Sequence, residues 1–120
     1  MADNFAVLIF THDLRETYGH YKRAFNAIII GEGYGDLDEL IHLEMDVFGN
    51  RIALAPHSPS EIVKGNVTVI CLKFQHKEAL MNAYETLQEG GQTAGLSEHP
   101  WSPLEGYVTD KYGVVWCIGL

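Results

Sequence analysis

The chain has 120 residues, enough for one domain with a substantial core, and its 47% hydrophobic and 20% charged residues are ordinary for a globular protein. Sixteen acidic against eight basic residues give a net charge of −8, which opposes contact with phosphate backbones and argues against a nucleic-acid partner. No apolar run approaches the roughly 20 residues of a membrane span, and residues 1–4 lack the basic region of a signal peptide, so we expect a cytoplasmic protein without a membrane partner.

The first elements predicted are a strand and an amphipathic helix. Residues 5–10 form a continuous apolar run, which is typical of a strand covered on both faces. Asp13 is a good helix N-cap, and Glu16 stands where a capping box needs it. The residues that recur at helical spacing and form one apolar stripe are Leu14, Tyr18, Tyr21 and Phe25.

Three further strands are predicted in the first half. Residues 27–31 are mostly β-branched and predict a strand. The glycine-rich residues 31–36 predict a mobile connection; a phosphate loop is the weaker alternative, because no helix with Lys or Ser/Thr follows in register. Residues 40–48 alternate, and Gly49-Asn50 suits a tight hairpin turn into a strand at residues 51–55. On the alternating strand, Leu43, Met45 and Val47 face one way, and His42, Glu44 and Asp46 face the other.

The second half repeats this order after a turn-rich linker at residues 56–65. The predicted elements are a strand (66–74), a helix (77–89) that begins at the poor cap His76 and is stopped by Gly90-Gly91, a short strand (92–96), an irregular loop (98–103), and a closing hairpin (104–109 and 114–118).

The turn before the last strand has a partial twin in the first half. Asp110-Lys111-Tyr112-Gly113 precedes one apolar run, and Asp46-Val47-Phe48-Gly49 precedes another. The chain therefore reads as one βαβββ module used twice, at residues 5–55 and 66–119. Two such modules predict a single α+β domain over residues 1–120, with a helix on one face of each antiparallel-rich sheet.

Several motifs spread over the chain carry a family resemblance. They are Tyr21-x-x-x-Phe25, Ile41-His42-x-Glu44, Leu87-x-Glu89-Gly90-Gly91, Trp101, and Gly106-x-x-Thr109-Asp110-Lys111-Tyr112-Gly113-Val114-x-Trp116. With the doubled module, they resemble the PhnB-like branch of the vicinal-oxygen-chelate superfamily of glyoxalases, bleomycin-resistance proteins and extradiol dioxygenases. The resemblance implies curled sheets around a cavity, often completed by dimerisation, so we expect a homodimer. Branch members have been labelled demethylubiquinone methyltransferase-like, but no cofactor-binding motif here supports a methyltransferase, and we expect no cofactor.

Metal-dependent relatives place a His or Glu on the first and last strands of each module. The resemblance puts those positions near Ala6, Ala53, Val69 and Cys117. A divalent metal needs three or four lone-pair donors from imidazole, carboxylate or thiolate, and Ala and Val supply none. We therefore expect no metal site, with rearranged metal ligands as the alternative.

A cavity without a metal needs polar groups that orient a ligand. His42 and Glu44 are the candidate catalytic acid-base pair, because a histidine titrates near neutrality and a carboxylate can orient it; the alternative is a polar pair with no catalytic role. Arg51 could hold a carboxylate or phosphate, or could be a surface cation beside Asp46.

The candidate ligand-binding residues are Phe10, Arg51, Trp101, Trp116 and Cys117. Trp101 could stack on a flat ligand or cap the core, and the apolar run around Trp116 is also typical of a core. Cys71 and Cys117 are expected to be buried thiols, with a soft-metal or redox pair as the alternative, because the first and fourth strands are neighbours in this fold. The histidines expected at the surface are His12, His20, His57, His76 and His99.

The expected function is the binding of a small hydrophobic or aromatic molecule in a metal-free cavity. One alternative is a lyase or isomerase that acts on a small carbonyl compound through His42 and Glu44. A metalloenzyme with non-standard ligands is the other. Whether the protein is an enzyme stays open, because one fold hosts unrelated chemistries.

Overall fold

The computed structural model describes residues 4–56 and 60–120. Within them the elements are β1 (Val7–Phe10), α1 (Leu14–Phe25), β2 (Ile28–Tyr34), β3 (Leu40–Val47), β4 (Asn50–Ala55), β5 (Ile70–Lys73), α2 (Lys77–Leu87), β6 (Gln92–Thr93), β7 (Ser97–His99), β8 (Ser102–Thr109) and β9 (Val115–Gly119). The chain divides into two compact units, Met1–Ile62 and Val63–Leu120, and the division falls within the predicted linker. His57, expected at the surface, lies outside the described residues.

Unit 1 is a four-stranded sheet with one helix. Its strand order is β1-β4-β3-β2, in which β1 runs parallel to β4 and the other pairs are antiparallel. Leu43, Met45 and Val47 are buried, while the alternate residues of β3 face away from them, which confirms the predicted alternation. β1 is not covered on both faces as expected, because Leu8 is 49% exposed.

Helix α1 begins as its sequence predicts. The Asp13 carboxylate accepts a hydrogen bond of 3.1 Å from the Glu16 backbone N–H, and the helix ends at Asn26 in the left-handed region. The expectation that His20 lies at the surface is wrong: it is 2% exposed. Its position falls on the buried helical stripe together with Thr17 and Ala24, whereas Tyr18, expected on that stripe, is half-buried.

Strand β2 is longer than predicted and absorbs part of the expected mobile connection. Gly31 pairs with Glu44 and Gly33 pairs with His42, with register shifts next to both glycines. Pairing with β3 satisfies backbone groups that a loop would leave to water, which explains why a glycine-rich segment stays in the sheet.

The β3–β4 turn is centred on Phe48 and Gly49, one residue earlier than predicted. Both have positive φ, 51° and 84°, as a two-residue turn that follows the twist of its strands requires. The Asp46 carboxylate accepts from the Gly49 N–H at 3.2 Å.

Unit 2 repeats the arrangement with an extra short strand. Its strand order is β5-β9-β8-β6, with β5 parallel to β9, and β7 pairs with β8 beside this path. β5 is shorter than the strand predicted at residues 66–74, α2 ends before residue 89, and β6 has two residues. The predicted irregular loop at residues 98–103 is instead a tight hairpin in which His99 pairs with Ser102.

In the core of unit 2, a buried tryptophan is hydrogen-bonded to a buried aspartate. Trp116 is fully buried, and its indole N–H donates to Oδ2 of Asp110 at 2.9 Å. Oδ1 of Asp110 accepts from the backbone N–H groups of Tyr112 and Val114, each at 3.0 Å. This turn corresponds to the Asp46 turn of unit 1. The fold is α+β, with one βαβββ module in each unit, to which unit 2 adds the short strand β7, and the sheets are mixed and largely antiparallel.

Of the described residues, no helix is long and apolar enough to cross a membrane.

Candidate functional site

Each sheet packs one face against its own helix. The opposite face, here called the helix-free face, carries most of the predicted site residues. In unit 1 a central row of four residues crosses this face, because each is paired with the next on the neighbouring strand. The row is Leu8, Ala53, Glu44 and Gly31. Arg51, His42 and Phe10 lie on the same face, two residues from members of that row.

Glu44 is the polar centre of this face. Its Oε1 accepts from Arg51 through Nε at 2.9 Å and Nη2 at 2.7 Å. Its Oε2 lies 3.8 Å from Nε2 of His42, beyond hydrogen-bond reach. His42, Glu44, Arg51 and Ala53 therefore share one face, and Arg51 contacts Glu44 rather than standing only beside Asp46.

Two glycines of β2 lie under this group. A methyl group at Gly31 would be in ordinary contact with Oε2 of Glu44 at 3.4 Å, whereas one at Gly33 would come within a tight 3.2 Å of Cβ of His42. The side chains of Glu44 and His42 therefore lean over backbone that carries no side chain of its own on this face. The glycines read as a loop in the sequence are part of the site.

In unit 2 the helix-free face holds the two cysteines and a second ion pair. One row runs from Cys71 to Cys117 to Tyr107, and the next from Lys73 to Gly119 to Glu105. Lys73 Nζ lies 3.0 Å from Oε2 of Glu105. The Gly119 position permits this, because a methyl group there would come within 2.9 Å of the Glu105 side chain.

Trp101 lies at the tip of the β7–β8 hairpin and is 68% exposed. Its ring stacks on His99 with centroids 5.0 Å apart, and its N–H donates to Oε1 of Glu105 at 2.8 Å. Trp101 therefore does not cap a core and remains accessible to a flat ligand. Its hydrogen bond, with help from Lys73, lowers the pKa of Glu105 below the ordinary value.

The two cysteines are neighbours with different surroundings. The neighbouring strands on which the paired-thiol alternative depends are present, because Cys71 in β5 is directly paired with Cys117 in β9. The expectation that both are buried is wrong, because Cys71 is exposed and only Cys117 is buried. Burial, together with the charge of Glu105 and the contact with Cys71, raises the pKa of Cys117 to about 11.

The predicted site residues thus belong to different units. His42, Glu44, Arg51 and Phe10 share the helix-free face of unit 1, whereas Trp101 and Cys117 belong to that of unit 2. Trp116 lies in the helix-covered core, which favours its core interpretation over ligand contact. Sequence reasoning missed Lys73, Glu105 and Tyr107, although alternation with the buried Val108 places Tyr107 on the helix-free face.

Unit 2 also has a concave region of about 510 Å³. Lys64, Asp110, Lys111 and backbone from Gly90, Gly91 and Gly113 contribute to its wall. None of the predicted site residues lines it.

The donor set does not fit a divalent metal centre. Ala53 and Cys117 occupy the expected positions on the last strands, while Ala6 and Val69 come just before β1 and β5. In residues 4–56 and 60–120, no three His, Cys, Asp or Glu side chains come close enough to hold one ion. One thiol among apolar side chains offers too few ligands.

The comparison with known proteins gives a likeness in structure. No protein-family model matches the sequence, and no curated protein matches it significantly. Among solved structures, a PhnB protein from Bacillus cereus, described as a 3-demethylubiquinone-9 3-methyltransferase, is 17% identical with a TM-score of 0.76, covering 100% of this chain and 99% of its own.

Two further structures broaden the likeness. A glyoxalase/bleomycin-resistance/dioxygenase domain from Frankia is 14% identical with a TM-score of 0.71, and the match covers 100% of this chain and 96% of that one. The fosfomycin resistance protein FosX of Listeria monocytogenes, solved with Mn(II) and a dihydroxypropylphosphonic acid, is 14% identical with a TM-score of 0.71 over 99% of this chain and 90% of its own. The chain therefore has the vicinal-oxygen-chelate fold of PhnB-like and glyoxalase/bleomycin-resistance proteins, as its doubled module and its motifs predict.

Proposed function

We propose that the protein binds a small hydrophobic or aromatic molecule without a metal, and that Glu44 and Arg51 orient a polar group of that ligand. The observation that carries the proposal is the helix-free face of unit 1. There a charged pair lies among apolar side chains, of which Leu8 and Ile28 are largely accessible. Apolar walls with a few placed polar groups are typical of small-molecule sites.

The hydrogen bonding of the pair leaves room for a ligand. Both contacting nitrogens of Arg51 go to Oε1 of Glu44, so Oε2 of Glu44 faces His42. A ligand hydroxyl or amine could donate to Oε2, and a carboxylate or phosphate could accept from Arg51. Neither side chain is fully buried, with the Arg51 side chain 42% and the Glu44 side chain 25% exposed.

The test is a thermal-shift panel followed by calorimetry. The panel contains aromatic and aliphatic carboxylates and phosphates, each with its neutral counterpart. A ligand at a hundredfold excess over its Kd raises the free energy of unfolding by about 2.7 kcal/mol, which a melting curve resolves. We expect stabilisation by at least one aromatic or hydrophobic class.

A matched pair of arginine variants locates the site. Arg51→Met should raise the Kd of the best ligand about tenfold, because a charged hydrogen bond is lost. Arg15→Met should leave it unchanged, because Arg15 bonds Tyr34 and Glu32 and does not contact Glu44 or Arg51. Absence of any stabilising compound, or equal losses in the two variants, would contradict the proposal.

A second candidate function is acid-base catalysis by His42 on a small carbonyl compound. It is favoured by the 3.8 Å approach of His42 Nε2 to Oε2 of Glu44, which a small side-chain movement would convert into a hydrogen bond. Turnover by the wild type with a loss of about a hundredfold in His42→Gln would support it. If the wild type binds a ligand but shows no turnover, the catalytic function is excluded and the binding function remains.

We also propose a cytoplasmic homodimer, for which the support is the likeness to PhnB-like proteins. Light scattering coupled to gel filtration tests the dimer. A monomer at micromolar concentration would contradict it.

A further inference from the structure

The geometry of unit 2 points to a thiol pair that reacts with small disulfides: we propose that Cys71 is the attacking thiol and Cys117 the resolving thiol. This goes beyond ligand binding, because it uses neither Glu44 nor Arg51. The proposal therefore does not rest on the ligand site proposed for unit 1.

The first support is the register of two parallel strands. Cys71 in β5 and Cys117 in β9 are direct partners, and both are free thiols. Adjacent strands lie about 4.7–4.9 Å apart, within the 4.4–6.8 Å that separates Cα atoms in disulfides. Paired residues of neighbouring strands project to the same face, so the two sulfur atoms can meet without a change of strand order.

The second support is the difference in accessibility, which assigns the roles. Cys71 is exposed, so a disulfide in solution can reach it. Cys117 is 9% exposed and lies beside Cys71, so it is shielded from a bulky reagent but not from a sulfur atom on its neighbour. An accessible thiol beside a shielded one is the arrangement of an attacking and a resolving cysteine.

The chemistry is thiol–disulfide exchange in two steps, with a low-molecular-weight disulfide as the oxidant. The Cys71 thiolate attacks one sulfur of that disulfide, its S–S bond breaks, and the first small thiolate leaves and takes up the proton that Cys71 released. The Cys117 thiol then gives its proton to solvent, and its thiolate attacks Sγ of Cys71. The mixed disulfide breaks and the second small thiolate leaves and is protonated. Two protein thiols and one small disulfide become one protein disulfide and two small thiols.

The surroundings of Cys117 set the relative rates of the two steps. The titratable groups that face it are Cys71 and Lys73 on β5, and Glu105 and Tyr107 on β8. Burial and the Glu105 carboxylate raise the pKa of Cys117 to about 11, with Lys73 opposing them. Only the thiolate is a nucleophile, so ring closure should be slow at neutral pH and accelerate about tenfold per pH unit below that pKa.

The experiment incubates the reduced protein with glutathione disulfide at pH 7.5 and pH 8.5 and follows its intact mass. We expect a single glutathione adduct that forms first and then converts to a species two hydrogens lighter than the reduced protein. Non-reducing peptide mapping of the wild type should place the adduct on Cys71 and the final bond between Cys71 and Cys117. Conversion should be about tenfold faster at the higher pH.

Two serine variants separate the roles, with circular dichroism as the folding control. Cys117→Ser should stop at the Cys71 adduct, and Cys71→Ser should gain an adduct at least tenfold more slowly than the wild type. Equal labelling of Cys117 in the Cys71→Ser variant would overturn the assignment of roles. A wild-type adduct that persists at pH 8.5 without ring closure would overturn the pair, and this measurement needs no variant.

Discussion

The indole N–H of Trp101 donates a 2.8 Å hydrogen bond to Oε1 of Glu105, while Lys73 holds the other carboxylate oxygen at 3.0 Å. An exposed aromatic ring is thus fixed from two sides, by the stacked His99 and by a carboxylate. A ring fixed in this way loses little rotamer freedom when a flat ligand stacks on it. The ring of Trp101 is therefore held in one orientation although it is exposed.

We expect Trp101→Phe to raise the pKa of Glu105 towards its ordinary value of 4.5, because the hydrogen bond from Trp101 is the largest cause of the lowering. The folded-state pKa is depressed, so this interaction stabilises the protein above pH 4.5 and is lost as the pH falls through the folded value. A carbon-detected NMR titration of the Glu105 side chain measures the change. Lys73→Met should also raise this pKa, because Lys73 both donates a hydrogen bond to the carboxylate and attracts its charge; an unchanged pKa in Trp101→Phe would contradict the prediction.

The two equivalent turns give a second prediction. Asp110→Asn should destabilise the protein by about 2–3 kcal/mol, because an amide must present its NH2 to a buried N–H at one of the two oxygen positions. Asp110 accepts from Trp116 through one oxygen and from two backbone N–H groups through the other. Urea unfolding followed by tryptophan fluorescence measures the loss.

The control for this prediction lies at the same place in the other module. Asp46→Asn removes charge from a turn in which the carboxylate accepts from the Gly49 N–H near solvent, so we expect a loss below about 1 kcal/mol. Equal losses in the two variants would mean that the buried tryptophan contact contributes nothing beyond turn geometry.

The sequence predicts the repeat well because its signals are local. Asp13 as a cap, the alternation of Leu43, Met45 and Val47, and the Asp-x-x-Gly turns each depend on neighbours a few residues away. The family motifs also predict the overall fold. Sheet order then follows, because the first strand of each module pairs in parallel with the last.

What the sequence does not predict depends on long-range pairing. Gly31 and Gly33 read as a loop, and only the partner strand makes them part of a sheet with room for Glu44 and His42. His20 and Cys71 have the opposite burial to that expected, because the burial of a polar residue and the exposure of an apolar one depend on which elements cover them. The contact between Glu44 and Arg51 does not follow from the sequence either, because Asp46, not Glu44, is the carboxylate directly paired with Arg51.

A third prediction concerns stability in alkali. The pKa of Cys117 is raised from 9.0 to about 11, so the unfolded chain loses this proton before the folded protein does. The stabilisation is complete below the unfolded value and is lost as the pH rises through the folded one. Chemical unfolding between pH 8 and pH 11 should show a smaller decline in Cys117→Ser than in the wild type, under reducing conditions. Cys71→Ser is the control, and parallel curves for the wild type and Cys117→Ser would rule out this source of the decline.

The last prediction concerns metals, and follows from the donor set of unit 1. Elemental analysis of protein purified without chelator should find no stoichiometric manganese, iron, zinc or nickel, because Ala53, paired with Glu44, presents a methyl group with no lone pair to donate. Ala53→His adds an imidazole to the face that already holds Glu44 and His42, and should gain measurable zinc affinity by calorimetry. Ala53→Leu has the added bulk without the donor and should gain none. Stoichiometric metal in the wild type would contradict the metal-free site proposed above. A gain of zinc affinity in Ala53→Leu as well would mean that the added imidazole is not the zinc ligand.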